Sequence, residues 1–158
     1  MTIKLLCVGK IREHYLHEAL DEYLKRLRRY VPVEYVEVKA EKRGKKYRKS
    51  EVEQREGERL RKVITPQEFV IALDERGIQY SSVEFSQFIS QCQVRGDIKT
   101  LTFVTGGATG FSEAFLSEAD VVLSLSTMTF PHQLCRLILV EQLYRAYTIM
   151  AGESYHKI

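Results

Sequence analysis

The sequence predicts an α/β domain in which helices cover both faces of a largely parallel sheet. Five short strand-like runs alternate with helical patterns along the chain, which is typical of this architecture. The 158 residues include 44% hydrophobic residues, enough for a sizeable core in one domain, residues 1–158. We find no internal repeat, linker or low-complexity stretch that would divide the chain.

The first three elements follow from simple patterns. Residues 3–8 form a continuous apolar run that Gly9 ends, as in a strand buried on both faces. Apolar residues then recur at helical spacing from Leu16 to Leu27. Cations follow at the end of this predicted helix, where the helix dipole favours positive charge. Valines and a tyrosine within residues 33–38 predict the second strand.

Two capping boxes predict the starts of the next two helices. Ser50 with Glu53 predicts a helix that runs to about residue 64, and Ser81 with Glu84 predicts the following one. The other elements are expected, in chain order, as a strand at 68–74, a turn at 75–77, a strand at 100–105, a short helix at about 112–118, a strand at 121–125 and a long helix at about 132–150.

Composition excludes several classes of protein. The 24 Lys and Arg against 21 Asp and Glu give a net charge of only +3. The apolar runs are shorter than the ~20 residues that a membrane-spanning helix needs. Cys7, Cys92 and Cys135 lack metal-type spacing and suit buried positions in a reducing compartment. We therefore expect a cytoplasmic protein with no membrane partner and no metal.

Residues 39–49 concentrate the positive charge. This segment has seven basic residues and one acidic residue, so it carries +6 and leaves −3 for the rest of the chain. Clustered cations neutralise nucleic-acid phosphates, and Tyr47 offers a ring on which a base can stack. The segment predicts a polyanion contact, with a solvated loop as the alternative. The cations assigned here to RNA contact are Lys42, Arg43, Lys45 and Lys46.

Three segments at predicted strand ends are candidates for ligand binding, because ligands of such sheets lie beyond the carboxyl ends of the strands. They are the segment after Leu73, residues 106–110 and residues 125–130. Residues 106–110 read Gly-Gly-Ala-Thr-Gly, and glycines let the backbone approach a ligand. The pattern is not that of a dinucleotide or triphosphate loop, and a tight turn is the alternative. Residues 125–132 combine small hydroxyls with Met128 and Phe130, which suits a flat ligand such as adenine. A connection buried in the core is the alternative there.

The last predicted helix is apolar almost all round, so one side should face the sheet and the other a second subunit. Glu141 and Arg145 interrupt one apolar face at i,i+4 spacing. They form either a structural ion pair or a pair that positions a polar substrate. Beyond this helix, Tyr155, His156 and Lys157 lie together in the sequence.

Several motifs in one order resemble a known family. They are Val8-Gly9-Lys10, residues 104–110, residues 126–134, residues 141–146 and a Gly-Glu-x-Tyr-His ending at 152–156. Together they resemble the family of ribosomal RNA large subunit methyltransferase H, in the SPOUT class of methyltransferases. The resemblance spans the whole chain.

The resemblance implies a C-terminal trefoil knot, a homodimer and S-adenosylmethionine as cofactor. It also implies methylation of N3 of a pseudouridine in a stem-loop of the 23S ribosomal RNA, on the assembled ribosome. Two alternatives remain open. One is a SPOUT enzyme that acts on transfer RNA, and the other is a non-catalytic module that binds ribosomes.

The resemblance assigns residue roles as well. The catalytic candidates are His156, Tyr155, His132, Glu141 and Arg145. The implied cofactor contacts are Leu73, Gly106, Leu125, Ser126, Thr127, Met128, Thr129 and Phe130. Lys157 joins the RNA contacts. Because imidazole titrates near neutral pH, we favour His156 as the base that removes the N3 proton, with His132 and Glu141 next. Arg145 would stabilise charge on the oxygens of the substrate base.

Overall fold

The protein folds around a parallel sheet. A computed structural model describes residues 1–42 and 47–157. Its strands are β1 (Thr2–Val8), β2 (Val33–Val38), β3 (Glu68–Ile78), β4 (Thr100–Thr105) and β5 (Val121–Leu123). Its helices are α1 (His14–Leu27), α2 (Lys49–Arg61), α3 (Ser82–Val94), α4 (Glu113–Glu118) and α5 (His132–Met150). In this part of the chain the five strands pair in the order β2-β1-β4-β3-β5, with every pair parallel.

Helices cover both faces of the sheet, which confirms the predicted fold class. On one face, α5 packs against α1, α3 and β4, and Ile3, Leu101 and Phe103 belong to the core there. On the other face, Leu60 of α2 and Phe115 of α4 belong to a second buried cluster. The sheet is therefore apolar on both sides, as the continuous apolar run of β1 predicted. The knot that the resemblance implies stays a prediction.

The third strand is longer than the sequence predicted, and the turn expected at 75–77 is wrong. β3 continues to Ile78, which pairs with Leu123 of β5 after a shift in register. A Cβ at Gly77 would lie 2.5 Å from the carbonyl oxygen of Val122, so a glycine is needed for the two strands to approach. The residue that indicated a turn instead allows close strand packing.

The capping box expected at Ser50 and Glu53 is also wrong. α2 begins at Lys49, and the backbone N–H of Arg48 donates to the Glu51 carboxylate at 3.3 Å. The helix start is thus two residues earlier than the Ser-x-x-Glu pattern indicated. Glutamate at the third helical position can bind the backbone N–H of the cap residue whatever the cap's side chain is, so the serine was not decisive.

The second capping box is confirmed. The backbone N–H of Glu84 donates to Ser81 Oγ at 3.2 Å, and the backbone N–H of Ser81 donates to the Glu84 carboxylate at 2.7 Å. The last strand is shorter than expected, since β5 ends at Leu123 rather than at residue 125. No helix in the described residues is long and apolar enough to cross a membrane.

A buried ion pair fixes the amino edge of the sheet, where the strands begin. Lys4 Nζ of β1 donates to Glu68 Oε1 of β3 at 2.9 Å, and both side chains are 7% exposed. Thr102 Oγ1 of β4 donates to the second carboxylate oxygen at 2.6 Å. Burial raises the pKa of Glu68, but the hydrogen bonds from Thr102 and Lys4 outweigh it, so the pKa is lowered. Three strands are therefore joined by one ionised carboxylate.

Candidate active site

A cavity of about 1020 Å³ opens at the carboxyl edge of the sheet. The parallel register places Leu73 of β3 beside Thr105 of β4 and Leu123 of β5, so the segments that follow these positions meet. The volume is at the upper end of ordinary small-ligand sites. A cavity thus lies where the sequence placed a ligand.

Residues 106–110, the glycine loop, form one wall of this cavity. The backbone N–H of Gly110 donates to Gly107 O at 3.1 Å and closes a tight turn. Gly110 has φ of +79°, a conformation that favours glycine. A Cβ on Gly106 would lie 3.3 Å from the backbone of Gly110, so a side chain at position 106 would crowd the turn. Thr109 adds a buried hydroxyl oxygen with no hydrogen-bond partner among the described residues.

Small hydroxyls shape the opposite wall, the segment from Ser124 to Pro131. Ser124 Oγ donates to Ser126 O at 3.0 Å, and the backbone N–H of Met128 donates to Ser126 Oγ at 3.0 Å. Thr129 Oγ1 donates to Glu75 at 3.2 Å and ties the segment to β3. Met128 is 70% exposed, which leaves an apolar side chain available to cover a ligand.

The rim of the cavity is acidic. Its charged residues, His132 aside, are Lys49, Glu53, Asp74, Glu75, Arg76 and Glu113, so two cations face four carboxylates and the sum is −2. Arg76 Nε donates to Asp74 at 2.8 Å, and a second guanidinium nitrogen donates to Glu113. The hydrogen bond from Arg76 holds the pKa of Asp74 below its usual range. The rim therefore stays negative and suits a cationic ligand.

Most of the predicted cofactor contacts line the cavity. They are Leu73, Gly106, Leu125, Ser126, Met128, Thr129 and Phe130. Thr127 is not among the described residues that line it. His132, the first residue of α5, also lines the cavity, just after Pro131 at the helix cap. The sequence thus predicted contacts from three separate strand ends, and the fold brings these three ends together.

The other catalytic candidates form a second group, the tail cluster of Glu141, Arg145, Tyr155 and His156. Arg145 Nη2 donates to Glu141 Oε1 at 2.6 Å, and Tyr155 Oη donates to the same oxygen at 3.0 Å. Arg145 Nη1 lies 3.3 Å from Nδ1 of His156. The guanidinium also lies over the Tyr155 ring, 4.8 Å from its centroid. Glu141 and Arg145 are therefore paired at i,i+4, and both of them hold the tail, residues 151–157.

Electrostatics fixes the protonation of the tail tyrosine. Burial raises the pKa of Tyr155, and hydrogen bonding to Tyr23 and to the Glu141 carboxylate raises it further. The phenol thus keeps its proton and acts as a hydrogen-bond donor. Tyr155 also packs edge-on against Tyr144 of α5, with ring centroids 4.7 Å apart. These contacts dock the tail on the helix that precedes it.

The two groups lie apart within one chain. His132 and Glu141 are nine residues apart on α5, which is about 14 Å along a helix that rises 1.5 Å per residue. Glu141, Arg145, Tyr155 and His156 do not belong to the described lining of the cavity. The five catalytic candidates therefore do not form one constellation in a single subunit.

The predicted RNA contacts are only partly described. Lys42 and Lys157 are exposed, whereas Arg43, Lys45 and Lys46 lie outside the described residues. Arg55 of α2 lies over the Tyr47 ring, 4.3 Å from its centroid. That ring is therefore already in contact with a cation of its own chain.

The sequence reasoning missed the acidic rim. Asp74 was expected to end a strand and Glu75 and Arg76 to begin a turn, and none of the three was assigned a role, although all of them line the cavity. The segment after Leu73 was a ligand-binding candidate, because residues there reach the carboxyl edge of a parallel sheet, but its charges were not interpreted. Glu113 could not be found in this way, since only the fold brings it to Arg76.

A parallel α/β sheet with a glycine loop and an acidic cavity at its carboxyl edge is typical of proteins that bind a small ligand at this edge. In residues 1–42 and 47–157 we find no group of three or more His, Cys, Asp or Glu that could hold a metal ion. The family described as predicted SPOUT methyltransferase matches residues 1–156. The chain belongs to the SPOUT methyltransferase family.

Named relatives are similar over their full length. Ribosomal RNA large subunit methyltransferase H of Carboxydothermus hydrogenoformans is 49% identical over 160 residues, which cover 99% of this chain and 100% of the relative. The protein of the same name from Enterococcus faecalis is 45% identical, with the same coverage.

Two solved structures share the fold. A probable methyltransferase from Bordetella pertussis has a TM-score of 0.57 and 10% identity, and covers 92% of this chain and 93% of its own. A probable methylase family protein from Haemophilus influenzae has a TM-score of 0.55 and 12% identity, and covers 99% of this chain and 70% of its own. At these identities the likeness shows the fold alone.

Proposed function

We propose that the protein transfers a methyl group from S-adenosylmethionine to N3 of pseudouridine 1915 in the 23S ribosomal RNA of the assembled ribosome. The observation that carries the proposal is the acidic cavity at the carboxyl edge, with its glycine wall and exposed apolar lining. The names of the full-length relatives support ribosomal RNA as the substrate. The basic segment at 39–49 and Lys157 supply cations for a polyanion.

The residues present fit the cofactor. Leu73, Leu125 and Phe130 offer apolar surface for the adenine ring, and exposed Met128 can close over it. The glycine loop offers backbone groups and the unpartnered hydroxyl oxygen of Thr109 for polar atoms. When bound, the cofactor supplies an electrophilic methyl group on a positively charged sulfur. The four rim carboxylates match that charge.

Methylation at N3 requires removal of the N3 proton and alignment of the base. We assign these tasks to His132 and to the tail cluster, with Arg145 stabilising charge on the base's oxygens. Because Tyr155 keeps its proton, it can hydrogen-bond the substrate but not remove the proton. Glu141 accepts from both Arg145 and Tyr155, which makes it the residue that orients them.

The favoured base, His156, has a further requirement. A guanidinium can only donate, so Nδ1 of His156 accepts from Arg145 and the proton of the neutral ring lies on Nε2. In this position His156 is a donor through Nε2. To take up the N3 proton through Nδ1, the ring must first lose its contact with Arg145.

A homodimer would unite the two groups. Three apolar residues of α5, Leu134, Leu137 and Ile138, are only partly buried in one chain, and they share the helix with Glu141 and Arg145. Burying such a face against a second copy removes apolar surface from water. We propose that this contact brings the tail cluster of one subunit to the cavity of the other.

Radiolabelled cofactor and ribosomes that lack the modification test the proposed function. The purified protein should label one stem-loop of the 23S RNA in assembled ribosomes, and label free 23S RNA and transfer RNA far less. Label on transfer RNA instead would favour a different SPOUT substrate. Absence of label with intact ribosome binding would favour the non-catalytic module. A sedimentation coefficient of a monomer under assay conditions would contradict the dimer.

A further inference from the structure

Gln142 of α5 connects the tail cluster to the neighbouring helix α3. It follows Glu141 directly in the sequence, and α5 packs against α3. Gln142 Nε2 donates to Glu141 Oε2 at 2.6 Å, and Gln142 Oε1 accepts from Ser82 Oγ at 2.8 Å. Ser82 is the first residue of α3. The amide of Gln142 therefore lies between a carboxylate of the tail cluster and the start of a packed helix.

The chemistry of these three groups fixes the direction of both hydrogen bonds. The carboxylate of Glu141 accepts, so the nitrogen of the Gln142 amide, and not its oxygen, faces Glu141. The amide oxygen then faces Ser82, and the serine hydroxyl donates to it. Rotation of the amide by 180° would bring its oxygen against the carboxylate oxygen. Ser82 and Glu141 together therefore hold Gln142 in one orientation.

The two oxygens of Glu141 have different partners. Oε1 accepts from Arg145 Nη2 at 2.6 Å and from Tyr155 Oη at 3.0 Å, whereas Oε2 accepts from Gln142. The terminal torsion of a glutamate side chain is broad, so contacts at one oxygen alone leave the plane of the carboxylate free to turn. Contacts at both oxygens fix that plane. The geometry in which Glu141 holds Arg145 and Tyr155 thus depends on Gln142.

A second glutamine also joins α3 to α5, and it differs from Gln142 in what it reaches. Gln93 Nε2 donates to Tyr147 Oη at 2.9 Å. Tyr147 is buried in the core and does not belong to the tail cluster. The two helices therefore have a polar contact that serves packing, and a separate one that reaches the catalytic candidate Glu141.

We propose that Gln142 is a positioning residue for methyl transfer. Its amide, held by Ser82, orients the Glu141 carboxylate. The carboxylate in turn orients Arg145 and Tyr155 toward the substrate base. The inference rests on the proposed function, because it takes the tail cluster as the group that aligns the base. It adds helix α3 of the same subunit as the support of that cluster, and small errors in alignment slow a reaction strongly.

Gln142→Met tests this role, because methionine is similar in length and cannot donate a hydrogen bond. The rate at saturating cofactor and ribosomes should fall about tenfold, since misplacement of a catalytic group by about 1 Å can cost 100-fold. KM for ribosomes and the cofactor Kd should not change, because the substrates still bind. Ser82→Ala should lower the rate by a smaller factor, about threefold, since Gln142 keeps its bond to Glu141.

The double variant Ser82→Ala with Gln142→Met distinguishes positioning from packing. It should be no slower than Gln142→Met alone, because Ser82 acts only through Gln142. Gln93→Met is the matched control, since it removes the other glutamine hydrogen bond between α3 and α5 and should keep wild-type turnover. Melting temperatures check that each variant is folded.

Wild-type turnover in Gln142→Met, or an equal loss in Gln93→Met, would overturn the inference, and so would additive losses in the double variant. If Gln142→Met does not fold, Ser82→Ala decides, and its wild-type turnover would then count against the inference. Methyl transfer by the wild type with no loss in the variants contradicts this inference alone. A wild type that transfers no methyl group to ribosomes contradicts the proposed function, and the inference fails with it.

Discussion

The carboxyl and amino edges of the sheet differ in the chemical groups and the charge that they present. At the carboxyl edge, loop backbone, small hydroxyls and exposed Met128 surround a cavity with an acidic rim. Toward the amino edge, long side chains of α1, α5 and the tail contact one another, and the free charge is positive. The difference indicates that the two edges bind different kinds of ligand. One edge suits a small cation, and the other suits a large polyanion.

Loss of the buried ion pair at the amino edge should have the largest effect. Lys4→Met leaves the Glu68 carboxylate buried without its cation, which costs about 3–5 kcal/mol in the free energy of unfolding. Urea unfolding measures this. Because the folded pKa of Glu68 is lowered, its contribution is present above the ordinary carboxylate pKa and is lost as pH falls through the folded value. The gap between wild type and variant should therefore shrink below about pH 4.

The double variant Lys4→Met with Glu68→Met is the control for this prediction. It removes both charges together and should recover most of the lost stability, since apolar pairs can replace buried ion pairs. A loss of stability that is the same at pH 3 and at pH 7 would show that packing, not charge, fixes this edge.

Disruption of the tail cluster should lower turnover and leave cofactor binding unchanged. Arg145→Ala removes the contacts to Glu141, Tyr155 and His156 together, and should lower methyl transfer by about 100-fold. Cofactor affinity, measured by calorimetry, should not change, because the proposed role of the cluster is to align the substrate base and not to bind the cofactor. Arg61→Ala, which breaks an exposed ion pair with Glu118, is the control. A matching loss of cofactor affinity in Arg145→Ala would remove the distinction between the two edges.

A substitution in the cavity lining should instead weaken cofactor binding. Met128→Ala removes an exposed apolar side chain that a ligand would cover, so the cofactor Kd should rise about tenfold while the melting temperature stays constant. Val94→Ala serves as the control, because Val94 is 82% exposed and does not line the cavity. An unchanged cofactor Kd in Met128→Ala would place the ligand elsewhere.

Removal of one negative charge from the rim should have the smallest effect of these substitutions. Glu75→Gln keeps an oxygen that can accept from Thr129 and removes one negative charge. Affinity for the cationic cofactor should fall about threefold, a typical size for an exposed charge, and affinity for its uncharged thioether product should not change. Equal changes for both ligands would mean that Glu75 shapes the wall without selecting charge.

Local patterns predicted the fold well. Alternating strands and helices gave the parallel sheet, and Ser81 with Glu84 gave a helix start that the hydrogen bonds confirm. One error, the turn expected at 75–77, came from a contact between distant residues. Gly77 indicated a turn because glycine is common in turns. Its actual role depends on Val122, which lies 45 positions away in the sequence, so no local pattern reveals it.

The candidate site was predictable where it lies on strand ends. Leu73, Gly106 and residues 125–130 follow apolar runs, so sheet geometry alone places most of them together. The tail cluster was predictable only for Glu141 and Arg145, whose i,i+4 spacing fixes their contact. Docking of Tyr155 between Tyr23 and Tyr144 depends on how α1 packs on α5, which periodicity does not specify.

The strand order has a consequence for how the chain acquires its structure. β4 lies between β1 and β3, although it follows both of them in the sequence. While the chain is being synthesised, the strand that lies between β1 and β3 is therefore missing until residues 100–105 have emerged. Such non-local pairing slows folding. The two halves of the sheet become one cooperative unit late, and an incomplete chain exposes two apolar strand edges that favour aggregation.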